Sequence, residues 1–323
     1  MLTNITPNDK PANVIIIINP YCHQQKGWKR WLSVKEQVYQ KLNLPVTEIV
    51  IEKGTNMKTM LEPLFDPLKK TCIISAGGDG SVHYLVNYLL GLENTILNKV
   101  VVGAIGLGSS NDFLKPFKEK INRIPLRINC NGKIISHDTG LVEYTNEENI
   151  PKQKYFIVNA SLGVTAKANW DFNHPGAVLK FLKKTGTGAA IIYTAISNIL
   201  THRNITCKVK FHGNESEIAM SNINVLKLPY LSGSFFYDQQ ILRDDGNLSL
   251  NICYDMSKVE LLAVLGKLQK GKFPDTKNTK SAVVKECLIS SDKPIIFECD
   301  GETAKSGSIQ ISVLPNVLNV LEN

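Results

Sequence analysis

At 323 residues the chain is long enough for two ordinary domains, and its apolar and charged fractions are those of a folded protein rather than a disordered one. Its 37 Lys and Arg against 29 Asp and Glu give a net charge of +8, which suits an anionic partner such as nucleotide phosphates or an anionic membrane surface; with no basic tail and no basic–aromatic stretch, nucleic acid is not expected. Seven cysteines without a C-x-x-C pair, and six histidines without ligand spacing, argue against a disulfide framework or a zinc site and for a reducing, cytoplasmic setting.

Residues 14–19 (VIIIIN) form an unbroken apolar run closed by Asn-Pro, the pattern of a buried parallel strand. The apolar core of that run is too short for a signal peptide, so no export is expected. Residues 28–42 have helical periodicity, 46–52 read as a second strand, and 55–68 as a helical region interrupted by Pro63 and Pro67. A third buried strand at 71–76 runs straight into Gly77-Gly78-Asp79-Gly80, and a helix over 81–92 follows with Ser81 near its N-cap. Residues 99–108 are a fourth strand with a glycine-rich end. This β-α-β-α order predicts a parallel sheet with helices on its faces.

After about residue 125 the pattern changes to period two, at Cys207/Val209/Phe211, Leu248/Leu250/Ile252 and Ile309/Ile311/Val313. That predicts an antiparallel, largely β second domain, with a helical insertion near 177–200. The longest apolar stretch, 188–200, is too short to span a bilayer as a helix, so a lipid would be met from the water side.

The sharpest local signal is SAGGDGSVHYLVN at 75–87. Glycines let a backbone pass close to a polyphosphate, and a helix N-terminus directs N–H groups at anionic oxygens. Asp79 suits Mg²⁺ on a nucleotide or the orientation of a hydroxyl; read by itself it is equally a helix cap. GAIGLGSSNDF at 103–113 repeats this logic with Ser109, Ser110, Asn111 and Asp112, and the ends of successive parallel strands converge at one edge of a sheet, where such sheets bind ligands. There is no glycine–lysine P-loop, no dinucleotide fingerprint and no protein-kinase motif set.

Asn19-Pro20, GGDGS at 77–81 and GLGSSNDF at 106–113 resemble the diacylglycerol kinase catalytic domain, the family of soluble bacterial diacylglycerol kinases, YegS-like lipid kinases and sphingosine kinases. HDTGLVEY (137–144), YFIVNASLGVTA (155–166), ILRDDGNLSLNI (241–252) and the FECDGETAKSGS block from 297 fall in the family's order, so the resemblance covers nearly the whole chain. It implies an N-terminal three-layer α/β ATP-binding domain at 1–130, completed by the last C-terminal residues, and a C-terminal antiparallel β-sandwich domain at 131–323, as in NAD and diacylglycerol kinases. The implied reaction moves the γ-phosphate of ATP to a lipid hydroxyl, most readily making phosphatidic acid from diacylglycerol, with ATP and Mg²⁺ as cofactors. Sphingosine or another lipid alcohol, NAD, and a non-catalytic nucleotide- or lipid-binding role are the alternatives. The resemblance places Asp79 at the Mg-ATP phosphates, with Asn19, Lys26, Gly77, Gly78, Gly80, Ser81, Ser109, Asn111 and Asp112 around the nucleotide. Glu302, of Asp300-Gly301-Glu302, becomes the general base, and a structural Mg²⁺ is assigned to Asp245 with main-chain groups of Leu242 and Asn247. Without the family, Asp300-Gly301 and Asp245-Gly246 read as turns. Asp79 and Glu302 come from opposite ends of the chain, which suits a cleft between two domains. The implied setting is cytoplasmic and peripheral at the membrane, with a homodimer left open. The chain departs from the family at Ser81 (usually Thr), His83 (usually Asn), Gly106 (usually Pro) and in the 19–31 loop, which lacks the usual Ser-Gly after Asn-Pro. NAD kinases carry a long threonine-rich block that LKKTGTGAAIIY at 182–193 does not reproduce.

Overall fold

Val14 to Ile18 of β1 (Asn13–Ile18) are buried without alternation because both faces of the strand are covered, and β1 lies between two parallel neighbours, β2 (Val46–Val50) and β3 (Thr71–Gly77). The computed structural model describes residues 10–322 apart from Lys53, Pro67 and Gln240, and leaves the side chain of Thr187 undescribed; the expected break at Pro67 lies outside the described residues. β3 pairs in parallel with β4 (Val100–Gly106), and both are buried along their whole length. The order is β2-β1-β3-β4, and a short hairpin, β5 (Glu119–Ile121) and β6 (Ile124–Arg127), sets β6 antiparallel to β4. The chain's end also enters this sheet, with Asn319 and Val320 parallel to Val101 and Val102. Ile16, Trp31, Val38, Ile74, Ile105 and Leu321 share the resulting core.

The expected helix over 28–42 is two helices, Gly27–Leu32 and Lys35–Leu42. Ser33 bonds back to the Arg30 carbonyl at 2.7 Å, an alternative to the helical ladder that short hydroxyl side chains offer. The turn lets Trp31 and Val38 both reach the core. The 55–68 region is a short helix, Met57–Leu61, capped by Asn56, and a 3-10 turn at Glu62–Leu64 with Pro63 as its second residue. The helix after β3 begins at Asp79 with Gly78 as N-cap, so Ser81 lies inside its first turn rather than at its cap.

The chain forms two compact units, Met1–His137 with Asn316–Asn323, and Asp138–Pro315. In the second, β7 (Ile134–Thr145, entering at Asp138) pairs antiparallel with β8 (Pro151–Phe156). The longer sheet is built from β9 (Asn159–Gly163), β10 (Ile205–Phe211), β11 (Asn214–Leu226), β14 (Leu248–Tyr254), β15 (Thr279–Val284), β16 (Glu286–Cys299) and the first part of β17 (Glu302–Leu321); β12 (Tyr230–Leu231) and β13 (Phe235–Phe236) form a separate hairpin. Its order is β15-β14-β11-β10-β16-β17, antiparallel throughout, with β9 pairing both β11 and β16. Leu248, Leu250 and Ile252 enter one core with Val209, Ile309 and Ile311. Cys253 enters another, with Leu261, Val264 and Leu268 of the helix Lys258–Gln269. β14 is therefore covered on both faces and does not simply alternate.

The expected insertion is two helices, Ala177–Thr185 and Thr187–Thr201. The helices Val164–Asn173 and Lys258–Gln269 were not anticipated. The second was legible in its capping box, Ser257 with Glu260. Among the described residues no helix is long and apolar enough to cross a membrane.

Candidate active site

In the first unit the ends of β3 and β4 lie in register at Gly77 and Gly106, so the two glycine-rich segments leave the sheet side by side. Gly108 donates its N–H to the Gly77 carbonyl at 3.1 Å. A Cβ on Gly108 would stand 2.4 Å from the Gly78 Cα, an approach that only glycine permits. Asn19 leaves β1 beside them: its N–H donates to the Ala76 carbonyl at 2.9 Å and its Nδ2 to the Ser81 hydroxyl at 2.9 Å. Asp79, in the first turn of the helix, accepts on Oδ1 from the Phe113 N–H at 3.1 Å, which ties the first glycine segment to the second.

Neither Asn111 nor Asp79 is a side-chain cap. Asn111 takes a left-handed φ of +52° and donates its Nδ2 to the carbonyls of Gly106 and Gly108, at 3.2 and 3.1 Å. Its Oδ1 is buried and has no hydrogen-bond partner among the described residues. Asp112 pairs with Lys115 at 2.7 Å, and Ser109 Oγ lies 3.1 Å from His23 Nδ1. Asn19, Gly77, Gly78, Asp79, Gly80, Ser81, Ser109, Asn111 and Asp112 thus form one cluster. Lys26 follows a turn in which His23, Gln24 and Gln25 have positive φ; it is exposed, and among the described residues no contact ties its side chain to the glycine segments. Arg30 was missed in the sequence. Its Nη2 donates to the Gly106 carbonyl at 3.3 Å, and its Nε is buried with no hydrogen-bond partner among the described residues. Burial, then the charges of Arg30 and Lys26, hold the pKa of His23 below its ordinary value. The run of basic residues after Asn19-Pro20 was the available signal.

The second unit carries the D-G-E block on the tight turn between β16 and β17. Asp300 and Gly301 both take positive φ, +48° and +92°, the hairpin geometry that Asp-Gly favours. The Asp300 carboxylate accepts the N–H groups of Ile157, Val158 and Asn159 at 2.9, 2.9 and 3.1 Å, so it is committed to holding the turn. Glu302 begins β17, half-buried and paired in the ladder with Cys299, and among the described residues its carboxylate makes no hydrogen bond. Glu298, which the sequence reading passed over, is fully buried and accepts from Asn159 Nδ2 (2.6 Å), Ser161 Oγ (2.5 Å) and the Gly301 N–H (2.7 Å). Burial outweighs these donors and raises its pKa to about 7.

Asp245, Leu242 and Asn247 do come together, but around an ammonium rather than as a vacancy for Mg²⁺. Lys227 is fully buried, and its Nζ donates to Asp138 Oδ2, Asp245 Oδ1 and the Asn247 carbonyl, each at 2.8 Å. The Leu242 and Asn247 N–H groups point at the Asp245 carboxylate, at 3.4 and 3.0 Å. Burial pushes the pKa of Asp245 up, but Lys227 and these N–H groups prevail and hold it below the usual carboxylate range. An Mg²⁺ ion needs oxygens at roughly 2.1 Å, and it would have to share these with a cation already bound to them. The residues present do not fit a structural metal.

Residues 13–142 match the diacylglycerol kinase catalytic domain, and residues 160–322 match the YegS C-terminal NAD kinase beta sandwich-like domain. No curated protein matches the chain significantly. Among solved structures, a diacylglycerol kinase from Bacillus anthracis str. Sterne superposes with a TM-score of 0.65 at 15% identity, over 97% of each chain. A second structure from the same organism gives 0.68 at 18% identity, again over 97% of each chain. Identities this low speak for the fold alone.

Proposed function

The chain belongs to the diacylglycerol kinase family, its catalytic domain followed by a YegS-type C-terminal domain, and from this premise we propose that it transfers the γ-phosphate of ATP to a hydroxyl of a membrane lipid, diacylglycerol before other acceptors. The observation that carries the reading is the joining of Asn19, Ser81, Asp79 and the 106–113 segment into one hydrogen-bonded, glycine-walled cluster.

Phosphoryl transfer leaves little covalent chemistry to the protein; it asks for positioned phosphates, neutralised charge and a group to take the hydroxyl proton. The glycine segments let the backbone approach the phosphates, and the helix Asp79–Leu89 directs its N-terminal end at them. Arg30 and Lys26 supply positive charge to the same loop, and the unpartnered Asn111 Oδ1 accepts a donor from nucleotide or water. When bound with the nucleotide, Mg²⁺ would neutralise phosphate charge, and Asp79 is the carboxylate to hold it, since this ion is usually kept by one or two carboxylates together with substrate phosphates. Glu302 takes the proton of the acceptor hydroxyl. Asp300 and Glu298 fix the turn from which it projects.

The lipid reaches the protein from an anionic bilayer through the helices Ala177–Thr185 and Thr187–Thr201. Val178 and Phe181 are 58% and 65% exposed and Leu200 is 50% exposed, while residues 174–203 carry Lys180, Lys183, Lys184 and Arg203 with no acidic residue. Apolar side chains among lysines fit the boundary between headgroups and acyl chains.

The test is transfer of labelled γ-phosphate to diacylglycerol, sphingosine, ceramide and phosphatidylglycerol in mixed micelles, with NAD in parallel. Label is expected in diacylglycerol and should fall by roughly 10²–10⁴-fold in Glu302→Gln, the usual worth of a general base, with ATP binding retained. Near-normal turnover in the variant would remove Glu302 from the base role. Label in NAD would overturn the lipid reading, and ATP binding with no acceptor labelled would leave a non-catalytic nucleotide binder.

A further inference from the structure

Three segments distant in sequence meet at one buried point of the second unit. Asp138 stands on β7, Lys227 directly follows β11, and Asp245 and Asn247 lie in the loop that leads into β14. Lys227 and Asp138 are both fully buried. An ammonium has three N–H donors, and here each has an oxygen acceptor at 2.8 Å, two of them carboxylates. The loop is also tied to Asp138 through the backbone: the Gly246 N–H donates to Asp138 Oδ2 and the Asp138 N–H to the Arg243 carbonyl, both at 2.8 Å.

Two carboxylates and a main-chain carbonyl converging on one point are the donor set of a hard divalent cation. In this chain the point is filled by a side chain that is part of the fold. A positive charge is needed there, since buried carboxylates without a counter-ion are costly, but its source need not be a metal. We propose that the Lys227 ammonium takes the place of a structural divalent cation, so that the 242–247 loop is held to β7 and β11 without metal. Divalent-ion dependence then belongs to the nucleotide alone. The position in sequence supports this: Lys227 interrupts the apolar run NVLKLP, where an unpaired lysine would find no favourable environment.

The inference does not depend on which lipid is phosphorylated or on turnover at all, and its test reads metal binding and stability in nucleotide-free protein. Mn²⁺ binding is measured by electron paramagnetic resonance, and thermal unfolding is followed with Mn²⁺, Mg²⁺ or EDTA, for the wild type, Asp245→Asn and Lys227→Met. For the wild type, the expected result is a Tm that neither ion nor chelator moves, and no bound Mn²⁺ that disappears in Asp245→Asn. Lys227→Met is expected to be destabilised and to recover several degrees of Tm with Mn²⁺ or Mg²⁺, because the vacated oxygens now accept the ion. A wild-type Mn²⁺ site abolished by Asp245→Asn overturns the proposal. So does a Lys227→Met protein as stable as the wild type and indifferent to metal. If Lys227→Met does not fold, the wild-type and Asp245→Asn titrations decide alone.

Discussion

Glu298 shows how much one carboxylate can depend on its surroundings. It is fully buried, and three donors from Asn159, Ser161 and Gly301 do not offset its loss of water, so its pKa rises to about 7. The folded state therefore holds this proton more tightly than the unfolded chain does. The stability it contributes is fully present below the ordinary carboxylate pKa and is lost as pH rises through about 7. Ionisation costs on the order of 3 kcal/mol at most, from about 1.4 kcal/mol for each tenfold change in proton affinity. The expected outcome is a Tm that falls between pH 5 and pH 8 in the wild type and falls less in Glu298→Gln. Parallel pH profiles for the two proteins would show that Glu298 does not titrate in this range. At the opposite extreme of size, Gly108 acts by having no side chain at all, since a methyl group there meets the Gly78 backbone. The motif spelling made Gly78, Asp79, Asn111 and Glu302 legible. Glu298 was not, because a lone acid in sequence carries no sign of what surrounds it, and Arg30 was marked only by the basic run it belongs to, which does not say what it faces.

The elements were read best where one physical rule dominated. β1, β3 and β4 are apolar without a break because both faces are covered, and such a run survives inspection of sequence alone. The helix expected over 28–42 fails at Ser33, where a side-chain bond to the Arg30 carbonyl competes with the ladder. The helix pair at 177–201 has a function-bearing face if it meets lipid. Val178 and Phe181 are exposed, so replacing both with Ser should leave Tm within about a degree, as surface changes usually do. Co-flotation with phosphatidylglycerol vesicles should drop several-fold, and added salt should weaken the wild type's binding further. Flotation that ignores both the substitutions and the salt would remove this pair as the membrane contact.

At the scale of the molecule, the chain's end is part of the first unit. Leu318, Val320 and Leu321 are at most 2% exposed, and Asn319 and Val320 extend the parallel sheet beside β4. Loss of a buried Leu commonly costs about 2–5 kcal/mol, against a total stability of about 5–15 kcal/mol for a domain. Residues 10–137 alone are therefore expected not to unfold cooperatively. The same fragment joined to 316–322 by a Gly-Ser linker should regain a cooperative urea transition. Equal denaturation midpoints for the two would mean that the last segment is only an edge decoration.

What the sequence by itself determined is local and short-range: four strands, three of them buried, two glycine turns at strand ends, the Asp-Gly hairpin before Glu302, and the order of blocks that marks the family. Each is written in neighbours a few residues apart, because strand burial, turn conformation and helix starts are set by adjacent side chains. Tertiary structure decided what stands opposite what. Asp79 is held by Phe113, Asn19 by Ser81, and Asp300 by the 157–159 backbone. Above all, the oxygens around Asp245 are met by Lys227 rather than left for a metal. Charge compensation in a buried site depends on distance in space and on the absence of water, and neither is recorded in the spacing of residues along a chain.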